Sequence, residues 1–176
     1  MAVRPHMGAP SIGKESHLQS IETLFQHNLW ANTRLMEVCR DLDDAVLDAT
    51  VPGTYGTVRD TLVHLARAEA GYYRRLTGKE VDRTGWGEVP TLEQLTEAMR
   101  FTGEGFIRDA PRVQESDTLQ VEWDGEKVEF PTGIILLQAI NHATEHRSHI
   151  ATILTQQGIT PPEMDGWSYM WSLKGR

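Results

Sequence analysis

Residues 132–158 read TGIILLQAINHATEHRSHIATILTQQG, and their periodicity decides the fold. Apolar side chains recur at helical spacing (Ile135, Ala139, Ile150, Ile153), as they do on a helix with one buried face. Thr132 offers a capping hydroxyl and Gly158 a C-terminal stop, so the spacing predicts a long helix from Gly133 to about Gln157. His142 and His146 stand four residues apart on that face, one turn above the other. A helix buried along one stripe needs other elements to cover it.

Working outward supplies them. Immediately upstream the period changes to two: Leu119, Val121 and Trp123 alternate with polar residues, and Val128 and Phe130 resume the pattern after Asp124-Gly125. That dipeptide between alternating runs predicts a β-hairpin closed by a type I′ turn. Further back, Thr91-Leu92-Glu93-Gln94 has the form of a capping box and opens a helix that ends before Pro111. Gly103 and Gly105 weaken its middle. Thr57 caps another helix, with Asp60 in its first turn and Gly78 as its stop. Val58, Leu62, Leu65, Tyr72 and Leu76 mark its core face.

A first helix of about 22 residues follows Ser16-His17-Leu18-Gln19, a second capping-box pattern. Its stripe is Leu18, Ile21, Phe25, Leu35 and Cys39, widened by Leu24, Leu29 and Val38. Residues 41–56 and the segment around Gly85-Trp86-Gly87 read as loops, the former with at most a short helical turn. Residues 1–16 read as an aperiodic tail, and Pro161-Pro162 onward as a short turn or strap. The fold class expected is all-α, an up-down four-helix bundle with a short β-hairpin before the last long helix. One domain is expected over residues 17–176.

Composition fits one globular domain: 176 residues, 39% hydrophobic and 24% charged. Lys plus Arg number 17 against 25 Asp plus Glu, a net charge of -8. That balance argues against a phosphate-neutralising surface, so no nucleic-acid partner is expected. No apolar run is long enough for a membrane span, and none is expected. Cys39 is the single cysteine, which excludes an internal disulfide and a cysteine zinc site and points to a reducing, cytoplasmic setting. No G-x-S-x-G, Walker or G-x-G-x-x-G sequence is present. Cys39 lies in an apolar stripe and reads as core rather than nucleophile.

The histidines carry the chemistry. One histidine on an apolar face is usually satisfied by a carbonyl or water, but a pair needs two partners. The i, i+4 spacing is also the one by which a helix presents two nitrogens to a zinc-like ion. His64, at the edge of its stripe beside Thr61, Ala68 and Gly71, supplies a third ligand. The set His64, His142 and His146 then matches a catalytic metal site with three protein ligands and an open position. His149, one turn further, reads as a neighbour of the site, with a fourth ligand as the alternative. His142-Ala143-Thr144-Glu145-His146 also has the H-x-x-E-H form, in which Glu145 would be the base of a metalloprotease. The brevity of the match, and the lack of a sheet to hold a peptide, count against that reading. No ferritin-like pair of Glu-x-x-His repeats is present.

Several pieces taken together resemble the DinB-like family of small bacterial metal-binding four-helix bundles. They are Asn28-Leu29-Trp30-Ala31-Asn32, Val58-Arg59-Asp60-Thr61-Leu62-Val63-His64, Ala68-Glu69, and Asn141-His142-Ala143-Thr144-Glu145-His146-Arg147-Ser148-His149-Ile150. The resemblance implies that His64, His142 and His146 hold the metal. It also implies similarity to bacillithiol S-transferases and mycothiol-dependent maleylpyruvate isomerase, a low-molecular-weight thiol among the small-molecule substrates, and a homodimer. Gln138 stands where members often have another histidine, and His149 where they often have glutamine. The expected function is a metal-dependent enzyme, a thiol S-transferase or hydrolase, using one divalent transition metal. Three imidazoles do not distinguish zinc, nickel or iron. The alternatives are a non-catalytic metal-binding stress-response module and the H-x-x-E-H protease.

Overall fold

Local chemistry sets most element boundaries in the computed structural model, which describes residues 14–175. These residues form α1 (Lys14–Arg40), α2 (Asp44–Leu47), α3 (Val58–Thr77), α4 (Leu92–Asp109), β1 (Thr118–Trp123), β2 (Glu126–Pro131), α5 (Gly133–Gln156) and α6 (Gly166–Leu173). The expected tail lies outside the described residues up to residue 13. Since α1 already runs from Lys14, Ser16 stands inside the helix rather than at its cap.

The Thr91 capping box forms, and the Thr57 cap turns out to be a box as well. The Thr57 hydroxyl accepts from the Asp60 amide at 3.0 Å, and the Asp60 carboxylate accepts from the Thr57 amide at 3.3 Å. Thr91 and Gln94 repeat the arrangement at 3.2 and 2.9 Å. Each box satisfies two amides that a helix start leaves free. Asp124 (φ 52°) and Gly125 (φ 82°) both take positive φ, as the two-residue turn requires. Trp123 then pairs with Glu126, Val121 with Val128 and Leu119 with Phe130.

Thr132 does not cap α5 with its side chain. Its backbone is already helical (φ −56°, ψ −32°), and its amide donates to the Asp117 carbonyl at 2.8 Å, so the loop before β1 fixes this helix start.

The fold is mainly helical, with one two-stranded antiparallel sheet. α1 packs against α4 and α5, α3 packs against the same two helices, and α6 lies on α1. One core cluster centres on Leu35, Leu62, Leu65, Leu95, Ile150 and Leu154. A second holds Phe25 stacked on Phe106 with centroids 4.7 Å apart. No helix among the described residues is long and apolar enough to cross a membrane.

Three details of the expected core change. Leu24 is 50% exposed, outside the stripe that Phe25 and Leu35 bury. On α3 the fully buried ring is Tyr73, while Tyr72 is partly buried. Gly103 and Gly105 are not weak points but contact points. A Cβ at Gly103 would lie 2.7 Å from Leu29 Cδ1, and one at Gly105 would meet the Tyr73 ring, 2.6 Å from its hydroxyl oxygen.

Gly105→Ala therefore has an expected sign opposite to helix propensity. In an open helix interior the change would stabilise by about 1 kcal/mol. Here it must displace Tyr73, whose hydroxyl donates to Asp109 at 2.8 Å, and overpacking of this kind costs about 1–3 kcal/mol. Urea denaturation should show a lower midpoint, and a raised one would refute the close packing.

Candidate metal centre

α5 presents His142 and His146 one turn apart, and α3 brings His64 to meet them. One nitrogen from each residue lies within 4.8 Å of the other two. His64 Nε2 and His142 Nε2 are 2.9 Å apart, and the ring centroids of His142 and His146 are 4.3 Å apart. Nitrogens bound tetrahedrally to zinc at about 2.1 Å stand roughly 3.4 Å from one another, a spacing this set brackets. His146 is 5% exposed, and its Nδ1 is buried without a hydrogen-bond partner. Such an atom is costly unless satisfied, and a set of three imidazoles is one that suits a divalent transition metal.

Protonation agrees. Burial pulls the pKa of His142 from 6.5 down to about 4, helped by the proximity of His146 and His64 and opposed by Glu145. His64 is lowered by burial, and His146 by burial and then by His64 and His149. Near neutral pH the three imidazoles are uncharged, the form that offers a lone pair to a cation.

The sequence did not point to the aromatic walls. Tyr55, in the loop before α3, stacks on His64 at 4.1 Å and turns an edge contact to His146 at 5.0 Å. Tyr72 meets His142 edge-on at 5.6 Å. Tyr55 belongs to no periodic segment, so pattern alone carries no signal for it.

Of the remaining candidates, His149 shares with His146 a buried Nδ1 that has no hydrogen-bond partner. His149 lies with its ring 5.4 Å from His146 but contributes none of the three converging nitrogens. Glu145 is exposed and makes no hydrogen bond or ion pair among the described residues. Cys39 is fully buried, and burial pushes its thiol up to about 12, far from a thiolate at neutral pH. His27 Nε2 is 2.9 Å from the Met164 carbonyl oxygen, and its ring packs on Trp30 and Tyr169, so it ties the segment before α6 to α1. His6 and the side chain of His17 lie outside the described residues.

A buried polar network sits behind the histidines. The Arg147 guanidinium donates to Asn28 Oδ1 at 2.6 Å and Asn32 Oδ1 at 2.8 Å. Asn32 Nδ2 in turn donates to Glu69 Oε2 at 3.0 Å. These bonds join α5, α1 and α3. Because Arg147 follows His146 directly, anchoring its side chain fixes the rotation of α5 and so the direction of the adjacent imidazole.

The DinB family model matches residues 16–175. The chain belongs to the DinB family. The crystal structure of a DinB-like protein from Bacillus cereus ATCC 10987 is similar, with a TM-score of 0.59 and 20% sequence identity. The match covers 85% of this chain and 95% of that one, and at this identity it concerns the fold. No curated protein matches. In this DinB-family chain, residues 28–32 and 141–150 carry the bonds of Asn28 and Asn32 to Arg147, and residues 58–64 and 141–150 carry the three converging histidines.

Proposed function

We propose that this DinB-family chain is a metal-dependent enzyme acting on a small molecule, with one divalent transition metal held by His64, His142 and His146. The observation that carries the reading is the convergence of three neutral imidazole nitrogens within 4.8 Å, one of the rings having a buried, partnerless Nδ1. The long helices α1, α3, α4 and α5 contact one another in a closed ring, which we read as a four-helix bundle with the centre between α3 and α5.

Three protein ligands leave a position for water or a thiol, and an ion bound there supplies Lewis acidity that lowers the pKa of that group. The chain's own contribution is orientation and exclusion of water. Tyr55 covers His64 and His146 from one side, Tyr72 borders His142 on another, and the Arg147 network holds α5 in register. A thiol S-transferase reaction suits this arrangement better than proteolysis. Glu145 is exposed, and the only sheet among the described residues is a two-stranded hairpin with no partner strand beneath it.

Reaction of a small thiol with 1-chloro-2,4-dinitrobenzene, followed by absorbance, tests the proposal. Tag-free protein loaded with zinc, nickel or iron is expected to accelerate the reaction. Apo-protein and a His64→Ala variant are expected to remain at the background rate. Equal rates with and without every metal, in protein that binds metal and stays folded, would leave a structural ion and overturn catalysis.

A further inference from the structure

A second feature adjoins the three histidines. A cavity of about 490 Å³ opens where the α3–α5 cleft meets the hairpin, a size in the range of small-molecule sites. It shares a wall with the candidate metal centre. Tyr72 lines the cavity and meets His142 edge-on at 5.6 Å. Gln138, one helical turn before His142, also lines it and donates to the Tyr72 hydroxyl at 3.4 Å.

The remaining walls are chemically distinct. Trp123 and Phe130 come from the hairpin, and Ile135 from α5. Trp123 is 66% exposed, a large ring left uncovered on a cavity wall. Arg75 of α3, an exposed side chain, also lines the cavity. Its NH1 lies 3.2 Å from where a Cβ on Gly71 would sit, so the guanidinium folds back over the helix toward the His142 end. Arg59 and Arg74 on the same helix are paired with carboxylates. Arg75 has no ion pair or hydrogen bond among the described residues.

Two acidic residues also border the cavity, Glu122 and Asp124. Strand alternation sends the Glu122 side chain to the face opposite Val121 and Trp123. Asp124 belongs to the hairpin turn and forms no ion pair with Arg75. An unpaired guanidinium fork and aromatic rings lining one cavity match a planar anion on an apolar body, because the fork presents parallel N–H donors to a carboxylate and the rings accept a flat group.

We propose that this cavity is the substrate subsite of the centre and takes a small carboxylate with a flat apolar body. The carboxylate meets Arg75 and the body lies against Trp123 and Phe130, in a cavity whose Tyr72 and Gln138 wall borders His142. As a substrate assignment this rests on the catalytic reading above. As a binding assignment it does not.

The test uses 3-phenylpropionate with the full chain, first without metal, read by calorimetry and by tryptophan fluorescence. Saturable binding is expected. Arg75→Gln should weaken it about tenfold, the value of one charged hydrogen-bonding contact, and Arg75→Lys should recover part of the loss. Trp123→Phe should remove the fluorescence change while calorimetric binding persists. The neutral 3-phenylpropanol should bind more weakly than the acid, and 3-phenylpropylamine more weakly still. Equal affinity for acid and alcohol, preference for the amine, or unchanged binding in Arg75→Gln would overturn the carboxylate subsite. Carboxylate binding without metal-dependent turnover would sink the catalytic reading and leave the subsite standing. Turnover of thiols without carboxylate binding would do the reverse.

Discussion

Arg147→Ala is expected to destabilise the chain by about 3–5 kcal/mol, the usual loss when one member of a buried charged set is removed. At roughly 2–4 °C per kcal/mol for a chain of this size, Tm should fall by about 10 °C. Arg147 is 4% exposed, and its guanidinium satisfies the side-chain carbonyls of Asn28 and Asn32, themselves buried at 1% exposure each. Truncation leaves both carbonyls without that donor and strands Glu69, which is 2% exposed. Glu69 Oε1 already lacks a partner, and the unused donor in the network, Asn28 Nδ2, belongs to a neutral amide that does not replace the guanidinium charge.

The same variant has a pH signature whose sign follows from Glu69. Burial raises its pKa from 4.5 to about 7, with Arg147, Thr102 and Asn32 acting in the opposite direction. The folded state thus binds this proton more tightly than the unfolded chain. Its contribution favours folding below the unfolded value and is lost as pH rises through about 7. Without Arg147 the carboxyl is pushed higher, and keeping the fold at alkaline pH costs more. The deficit of Arg147→Ala relative to wild type should therefore be larger near about pH 8 than near about pH 5. Urea unfolding of both proteins at the two pH values measures it. Equal deficits would mean that Arg147 acts through its asparagine bonds alone.

That network also marks where sequence reading reached and where it stopped. The cap at Thr57, the capping box at Thr91 and the turn at Asp124-Gly125 were legible because each is decided by residues three or fewer positions apart. Thr132 misled because its amide is held by Asp117, fifteen residues earlier, an interaction that no local pattern encodes. Tyr72 and Tyr73 sit at the border of one stripe, about 100° apart on the helix, and the close approach of Gly105 decides which ring goes inside. In the site, i, i+4 spacing exposed His142 and His146, and His64 followed as the partner such a pair needs. Glu69 and Arg147 were invisible as a pair because a charged residue on a helix reads as solvated until its buried partner is known. The family resemblance picked out the segments carrying them without giving their role.

His142→Ala is expected to abolish stoichiometric metal uptake, the second large effect. Wild-type protein, purified without a histidine tag and loaded with a divalent transition metal, should hold about one equivalent, as a single three-imidazole site implies. Losing a partner that merely orients a metal ligand costs roughly 10–100-fold in affinity, so losing a ligand should cost at least about 100-fold. The effect should appear twice. Metal at a hundred times its Kd stabilises a folded protein by about 2.7 kcal/mol, so wild type should gain thermal stability on loading while His142→Ala gains almost none. His27→Gln is the control: its ring holds the Met164 carbonyl, away from the three converging nitrogens, so it should keep the full equivalent. Uptake lost in both variants would point to adventitious histidine binding. No uptake and no stabilisation in wild type would mean that the three imidazoles satisfy one another through contacts such as the 2.9 Å approach of His64 to His142. Metal gained by wild type and by His27→Gln but not by His142→Ala is the pattern a genuine centre between α3 and α5 produces, because only removal of a converging nitrogen opens the set.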